Sequence, residues 1–170
     1  MSKALNVAVC QINPTLGNFQ KNIDIISKNY KSAVEKGADL VVFPEMSITG
    51  YPPQDLLNNK EFISQNISCL NELVKSITIP CILGYVDFED NKKFNAAAVC
   101  QDGEIVYKYH KIHLPNYDVF DERRYFHSGD SIGIFDLKVN NSDYKIALQI
   151  CEDLWEDEYE RKISGEIIEN

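Results

Sequence analysis

The 170-residue chain is poor in cationic residues: 17 Lys and Arg stand against 26 Asp and Glu, for a formal charge of −9, and the basic residues are scattered. Nucleic-acid phosphates are bound by gathered Lys and Arg, so no nucleic-acid partner is expected. No run of 18 or more apolar residues occurs, which leaves no candidate membrane-spanning helix. The opening MSKALNVAVCQINP is too short in apolar residues for a secretion signal, and a cytoplasmic protein without a membrane partner is expected. The cysteines, at 10, 69, 81, 100 and 151, are odd in number and form no CxxC or short Cys/His pair. Neither disulfides nor a zinc site is expected from them. Pro, Gly and Ser are not in excess, which excludes disordered and fibrous classes.

What is present is an ordinary globular mixture, 44% hydrophobic and 25% charged, in a chain long enough to bury roughly 70% of its unfolded surface. LNVAVCQI at 5–12 predicts a strand, and NPTLGN a turn after it. Asn18 is placed to cap a helix reaching about Lys36, in which Ile23, Ile26, Tyr30, Ala33 and Val34 recur at helical spacing and Gly37 supplies the stop. ADLVVFPE at 38–45 is a short apolar run ended by a proline, predicting a buried central strand and hence a βαβ-like unit. MSITGYPPQD reads as a loop, and residues 56–76 return to helical spacing. IPCILGYVDF and FNAAAVCQDGEIVYKYHK predict strands, with Asp102-Gly103 as a two-residue hairpin turn that makes the sheet antiparallel there. Residues 111–130 fit neither period and predict a long functional loop. Two strands near 131–137 and 143–150 and an acidic helix at about 155–163 complete a single α/β domain with no repeat. Cys10, Cys69, Cys81 and Cys100 fall on the apolar positions of these elements and are expected in the core.

Three chemically able residues lie just past predicted strands: Glu45 after LVVFP, Lys111 after IVYKYH and Cys151 after KIALQI. Strand ends are where α/β sheets gather functional groups from distant parts of a chain. A thiol needs a base, an attacked carbonyl needs a positive donor for its oxyanion, and a leaving amine needs a proton, so Glu, Lys and Cys suffice to cleave an amide. By position alone Cys151 remains open to packing, metal ligation or nucleophilic attack, since free Cys is among the most buried residue types. A Lys beside carboxylates stays charged and favours a neighbouring thiolate. HKIH at 110–113 puts its two histidines on opposite faces of an extended segment, so a structural role is expected. SGDS at 128–131 lacks the second glycine of an SGG-type phosphate loop and is read as coincidence. Glu152 and Asp153 are open to reading as a metal pair or as pocket residues.

FPEMSITGYPPQDL at 43–56, YHKIHLPNYDVFDERRYF at 109–126 and ALQICEDLW at 147–155 resemble, in order, the three signature blocks of the nitrilase (carbon–nitrogen hydrolase) superfamily. Within it, LPNYDVFDERRYF, CEDLW and FNAAAVCQDGEIVYKYHK resemble the glutaminase domains of glutamine-dependent NAD synthetases. The resemblance implies an α-β-β-α sandwich. It implies Glu45 as general base, Lys111 as oxyanion stabiliser, Cys151 as nucleophile and Glu122 as a second glutamate holding the lysine and the attacking water. Tyr51, Tyr117, Phe120 and Glu152 match positions that line the glutamine pocket, and no metal site is implied. The implied reaction is glutamine hydrolysis to glutamate and ammonia, with no cofactor; ATP and Mg belong to a separate synthetase domain.

In the resemblance such domains run to about 260–280 residues, whereas this chain continues only 19 residues beyond Cys151. The expectation is therefore the N-terminal part of the sandwich, residues 1–170, with no synthetase domain and with an exposed sheet edge and an uncovered apolar face. A separately encoded ATP-binding domain is an expected partner, and a homo-oligomer is the family default. Two further readings are a hydrolase of another small amide, and an inactive fragment or subunit of a split synthetase.

Overall fold

The computed structural model describes residues 4–155. The predicted helix at 155–163 therefore falls outside the described residues. Seven strands and two α-helices follow the order β1 (Val7–Val9), α1 (Phe19–Glu35), β2 (Leu40–Val42), α2 (Lys60–Val74), β3 (Cys81–Glu89), β4 (Lys92–Gln101), β5 (Glu104–His110), β6 (Ile134–Val139) and β7 (Ser142–Ala147).

The first five strands form one sheet in sequential order, parallel from β1 to β3 and antiparallel from β3 to β5. Helices α1 and α2 are the crossovers of the parallel part, as parallel strands require. Each begins on an asparagine: Asn18 accepts from Lys21 N at 3.2 Å and Asn59 from Glu61 N at 2.8 Å. Such caps satisfy N–H groups that the helix itself leaves unpaired. Asn59, in extended conformation, also explains why the predicted helix from 56 starts late, for residues Gln54–Asn58 form a separate 3₁₀ turn.

The inner face of α1 carries Phe19, Asn22, Ile26, Tyr30 and Ala33, and that of α2 carries Phe62, Ile63, Asn66, Cys69, Leu70, Leu73 and Val74. These pack with Val41, Leu83, Ala96 and Ala98 on one face of the sheet. Burying an aliphatic side chain as fully as Ile26 contributes about 2 kcal/mol. Polar clamps fix the layers: the Asn66 amide donates to Val86 O at 2.5 Å and its carbonyl accepts from Val86 N at 3.2 Å.

On the opposite face lies a two-stranded sheet of β6 and β7, whose Phe135, Leu137 and Val139 pack on Leu40, Ile82, Ala97, Val99 and Tyr109. The described residues thus form three layers, helix on sheet on sheet. Three hairpin turns carry residues of positive φ: Asp90-Asn91, Asp102-Gly103 and Asn140-Asn141. The second is the turn anticipated from sequence. Val7 and Val9 of edge strand β1 are exposed, as are Leu154 and Trp155. Cys69, Cys81 and Cys100 are buried as anticipated, whereas Cys10 lies just past β1 and is only partly covered. No helix among the described residues is long and apolar enough to cross a membrane.

Candidate active site

Glu45 lies three residues past β2, Lys111 directly follows β5, and Cys151 starts a 3₁₀ turn four residues past β7. The loop bearing Glu45 lies hard against β3 because position 84 is glycine. A Cβ there would come within 2.3 Å of Pro44 O and 2.5 Å of Met46 N. Ser47 Oγ and Ile48 N both donate to Gly84 O, at 3.1 and 3.2 Å, so this loop is buried and bonded rather than solvated. Lys111 is gripped through its backbone, its N–H donating to Asn95 O and its carbonyl accepting from Gly129 N, each at 2.8 Å. Gly129 is the glycine of SGDS, and a Cβ there would meet His110 O. That motif is a backbone contact beneath the lysine.

The Lys111 side chain is fully buried. Its Nζ donates to Glu45 Oε1 at 2.8 Å and lies 3.1 and 3.0 Å from the two oxygens of Glu122, a buried residue on the 3₁₀ turn Glu122–Arg124. Glu122 Oε1 also accepts from Tyr51 Oη at 2.9 Å. The Tyr51 ring tilts against Phe120 with centroids 6.4 Å apart, Phe120 meets Tyr117 edge-on at 5.6 Å, and Tyr117 Oη donates to Glu152 Oε2 at 2.9 Å. Cys151 and Glu45 line one cleft of about 130 Å³ together with Phe43, Gly84, Ala97 and Ile150. All eight residues singled out in the sequence therefore belong to one contiguous cluster, built from segments up to 107 positions apart in the chain.

The charges are strongly coupled. Burial alone pulls the Lys111 ammonium down, but Glu45 and Glu122 outweigh it, and Lys111 is held above its ordinary value. Glu122 is held above the usual carboxylate range, first by burial and then by Glu45, against the opposing pull of Lys111. Partial burial raises the Cys151 thiol, Glu45, Glu122 and Glu152 add to this, and Lys111, which favours the thiolate, offsets only part.

Asn95 was not anticipated as a site residue. It is fully buried on β4, and its Nδ2 donates to Glu45 Oε1 at 2.5 Å and to Glu122 Oε2 at 3.3 Å, bridging the two carboxylates. Its signal was there to read: FNAAAVC is one polar residue in an apolar strand, where Asn is disfavoured unless it is bonded.

Glu152 turns to Tyr117 while Asp153 turns inward to accept from Ile112, His113 and Ile150 N–H groups, so the two acids do not converge. His110 faces Asp87 at 2.9 Å and stacks on Phe94 at 4.0 Å, the structural role expected for it. Asp87, Glu89 and His110 do bring ligand atoms within 4.8 Å of one another. The Lys108 ammonium already lies 3.0 Å from Asp87, and His110 and Lys108 hold the Asp87 carboxyl, despite its burial, at about 2.

A sheet whose strand ends bring a buried lysine, clamped between a buried and a half-buried glutamate, beside an accessible thiol defines a class. Residues 6–169 match the family model described as "Carbon-nitrogen hydrolase", and the chain belongs to that family. More particularly, it is similar to glutamine-dependent NAD(+) synthetases. It is 41% identical to that of Thermotoga maritima over 156 residues and 38% identical to that of Synechocystis sp. over 161, covering 90% and 89% of this chain but 26% and 28% of theirs. The structure of the Acinetobacter baumannii synthetase with adenosine diphosphate superposes with a TM-score of 0.87 at 30% identity, covering 99% of this chain and 31% of that one. An amidase from Nesterenkonia sp. shares the fold, with a TM-score of 0.70 at 21% identity, covering 83% of this chain and 54% of that one. The chain spans about a quarter to a third of the length of the synthetases it matches.

Proposed function

We propose that the site hydrolyses the side-chain amide of glutamine, releasing ammonia for use by a synthetase of the kind its relatives are named for. The observation that supports this most directly is a fully buried ammonium clamped between two carboxylates beside a cleft that Cys151 and Glu45 share. In this reading Glu45 takes the Cys151 proton as sulfur attacks the amide carbon. The tetrahedral oxygen develops its charge toward Lys111 Nζ, and Glu45 returns the proton to the departing ammonia. Water, held near Glu122 and deprotonated by Glu45, then cleaves the thioester. Tyr51, Tyr117, Phe120 and Glu152 would shape the entrance, with Glu152 offering a carboxylate to the α-ammonium of glutamine. An ATP-binding synthetase domain, which uses ATP and Mg, is the proposed consumer of the ammonia.

The purified protein should release ammonia and glutamate in equal amounts from glutamine, and more slowly from asparagine or unsubstituted aliphatic amides, as followed by enzymatic ammonia assay. The missing methylene of asparagine should cost about 10- to 200-fold in kcat/KM. A preference for another amide would replace the glutaminase reading with that of a different small-amide hydrolase. Release indistinguishable from background for all of them would leave a non-catalytic subunit.

Asn95→Ala should lower kcat by about 10- to 100-fold by letting Glu45 and Glu122 drift from Lys111. It should also cost about 1–3 kcal/mol of stability for the lost buried hydrogen bonds, measured by denaturant titration. An Asn95→Ala protein with unchanged kcat would show that Lys111 alone aligns the two acids.

A further inference from the structure

Asp153 lies in the 3₁₀ turn Cys151–Leu154, two residues after the thiol, and is buried. Its carboxylate accepts four hydrogen bonds from two separate segments. Oδ1 takes Ile112 N at 3.1 Å and His113 N at 2.8 Å, and Oδ2 takes Tyr109 Oη at 2.7 Å and Ile150 N at 3.0 Å. Three of these donors flank Lys111 on both sides in the chain, and the fourth is the residue before Cys151. No described contact joins Asp153 to the Lys111 ammonium, the Cys151 sulfur or the glutamates.

Resting on the assignment of Cys151 as nucleophile and Lys111 as oxyanion partner, we infer that Asp153 is the positioning residue that sets the Cys151 turn against the Lys111 segment. Cys151 has a φ of +49°, a left-handed conformation that a residue with a Cβ holds only when its surroundings impose it. The bond from Ile150 N to Asp153 Oδ2 closes that turn, and Gln149 Nε2 adds a bond to Asp153 O at 3.0 Å. The other three bonds carry the imposed geometry across to the lysine. Lys111 and Cys151 come from strands of different sheets, β5 and β7, so no shared ladder fixes their separation. Asp153 supplies that register through side-chain bonds. Displacing one segment by about 1 Å is enough to cost about 100-fold in rate.

Asp153→Asn keeps the volume but replaces one acceptor oxygen with an NH₂. Whichever way the amide turns, its NH₂ faces backbone N–H donors. The variant is expected to lose about 100-fold in kcat on glutamine with KM moving less than kcat, because of the four entrance residues only Glu152 rides on the displaced turn. A second readout needs no turnover: the pH profile of Cys151 alkylation by iodoacetamide, located by peptide mapping. In the wild type the midpoint should lie above that of an ordinary thiol, since the sulfur is partly buried and Glu45, Glu122 and Glu152 add to that with only Lys111 opposing. In Asp153→Asn it should fall toward the ordinary value of about 8.5 as the turn swings out of its partial burial and away from Glu45 and Glu122, while Glu152 moves with it. Tyr109→Phe, which removes one of the four bonds, should move both readouts the same way by a smaller step, and decides the matter if Asp153→Asn does not fold. Wild-type kcat and an unmoved alkylation midpoint in Asp153→Asn, or in Tyr109→Phe where that variant decides, would overturn the inference. Absence of glutamine turnover in the wild type would instead overturn the glutaminase reading, and the alkylation profile would still test the positioning role.

Discussion

Cys151→Ala should abolish ammonia release above background, a loss of about 10³-fold or more, because nothing else in the cleft can form the thioester. The substitution is a clean one. Alanine inherits the same φ of +49° and the same penalty for holding it, and the side chain removed is solvent-accessible, so folding should change little. The companion variant Glu45→Gln tests what the electrostatics imply. With the Cys151 thiol raised and Glu45 assigned as the base that removes its proton as attack begins, a glutamine side chain at position 45 has no basic oxygen to do so. Its expected loss is about 10²- to 10⁴-fold. The two variants separate on alkylation. Cys151→Ala has no reactive thiol at that position, whereas Glu45→Gln keeps one whose alkylation midpoint falls, because a carboxylate that disfavours the thiolate has gone. Ammonia release by Cys151→Ala at the wild-type rate would remove the nucleophile assignment altogether.

The parts of the fold legible in the sequence were those in which one segment carries its own signal. Helix α1 has an Asn cap, a clean apolar period and a glycine stop, and it formed where predicted. The strands before Glu45, Lys111 and Cys151 were visible as apolar runs, which is why those three residues stood out before any geometry was known. Boundaries set by a local competition were missed. Asn59 capping α2 against the preceding Pro52-Pro53 stretch is one, and the Asp90-Asn91 turn, which lies between two apolar runs and lets β3 and β4 extend to Glu89 and Lys92, is another.

The residues that assemble the site were hardest to see. Asn95 and Asp153 act through partners 27 to 50 and up to 44 positions away: the apolar strand around Asn95 shows that it must be bonded but not to what, and nothing local distinguishes Asp153 from a surface acid. The balance at Cys151 was out of reach for the same reason: how far burial and the carboxylates offset the lysine is a property of the folded cluster.

Lys111→Met should be the most damaging single change to stability and site together. Removing one member of a buried ion pair typically costs about 3–5 kcal/mol, and here two carboxylates lose the same cation. Turnover should fall by at least about 10²- to 10³-fold, as for a lost oxyanion donor. The stability loss carries a pH signature that a packing defect would not. Glu122 is already held above the ordinary value with the ammonium present, and without it its folded value rises further. A carboxyl raised on folding contributes stability that is fully present below its unfolded value of about 4.3 and is lost as pH rises through the folded value. The melting temperature of Lys111→Met should therefore approach that of the wild type near pH 5 and separate from it toward pH 8. Lys111, raised on folding, keeps its own contribution throughout that window, since it is lost only above the ordinary lysine value of about 10.4. Adding Glu122→Gln to Lys111→Met should recover part of the stability at pH 8, because one uncompensated buried charge is gone, without recovering turnover. A melting deficit that is the same at every pH would mean that Lys111 is held by packing alone, and that the two glutamates do not share its charge.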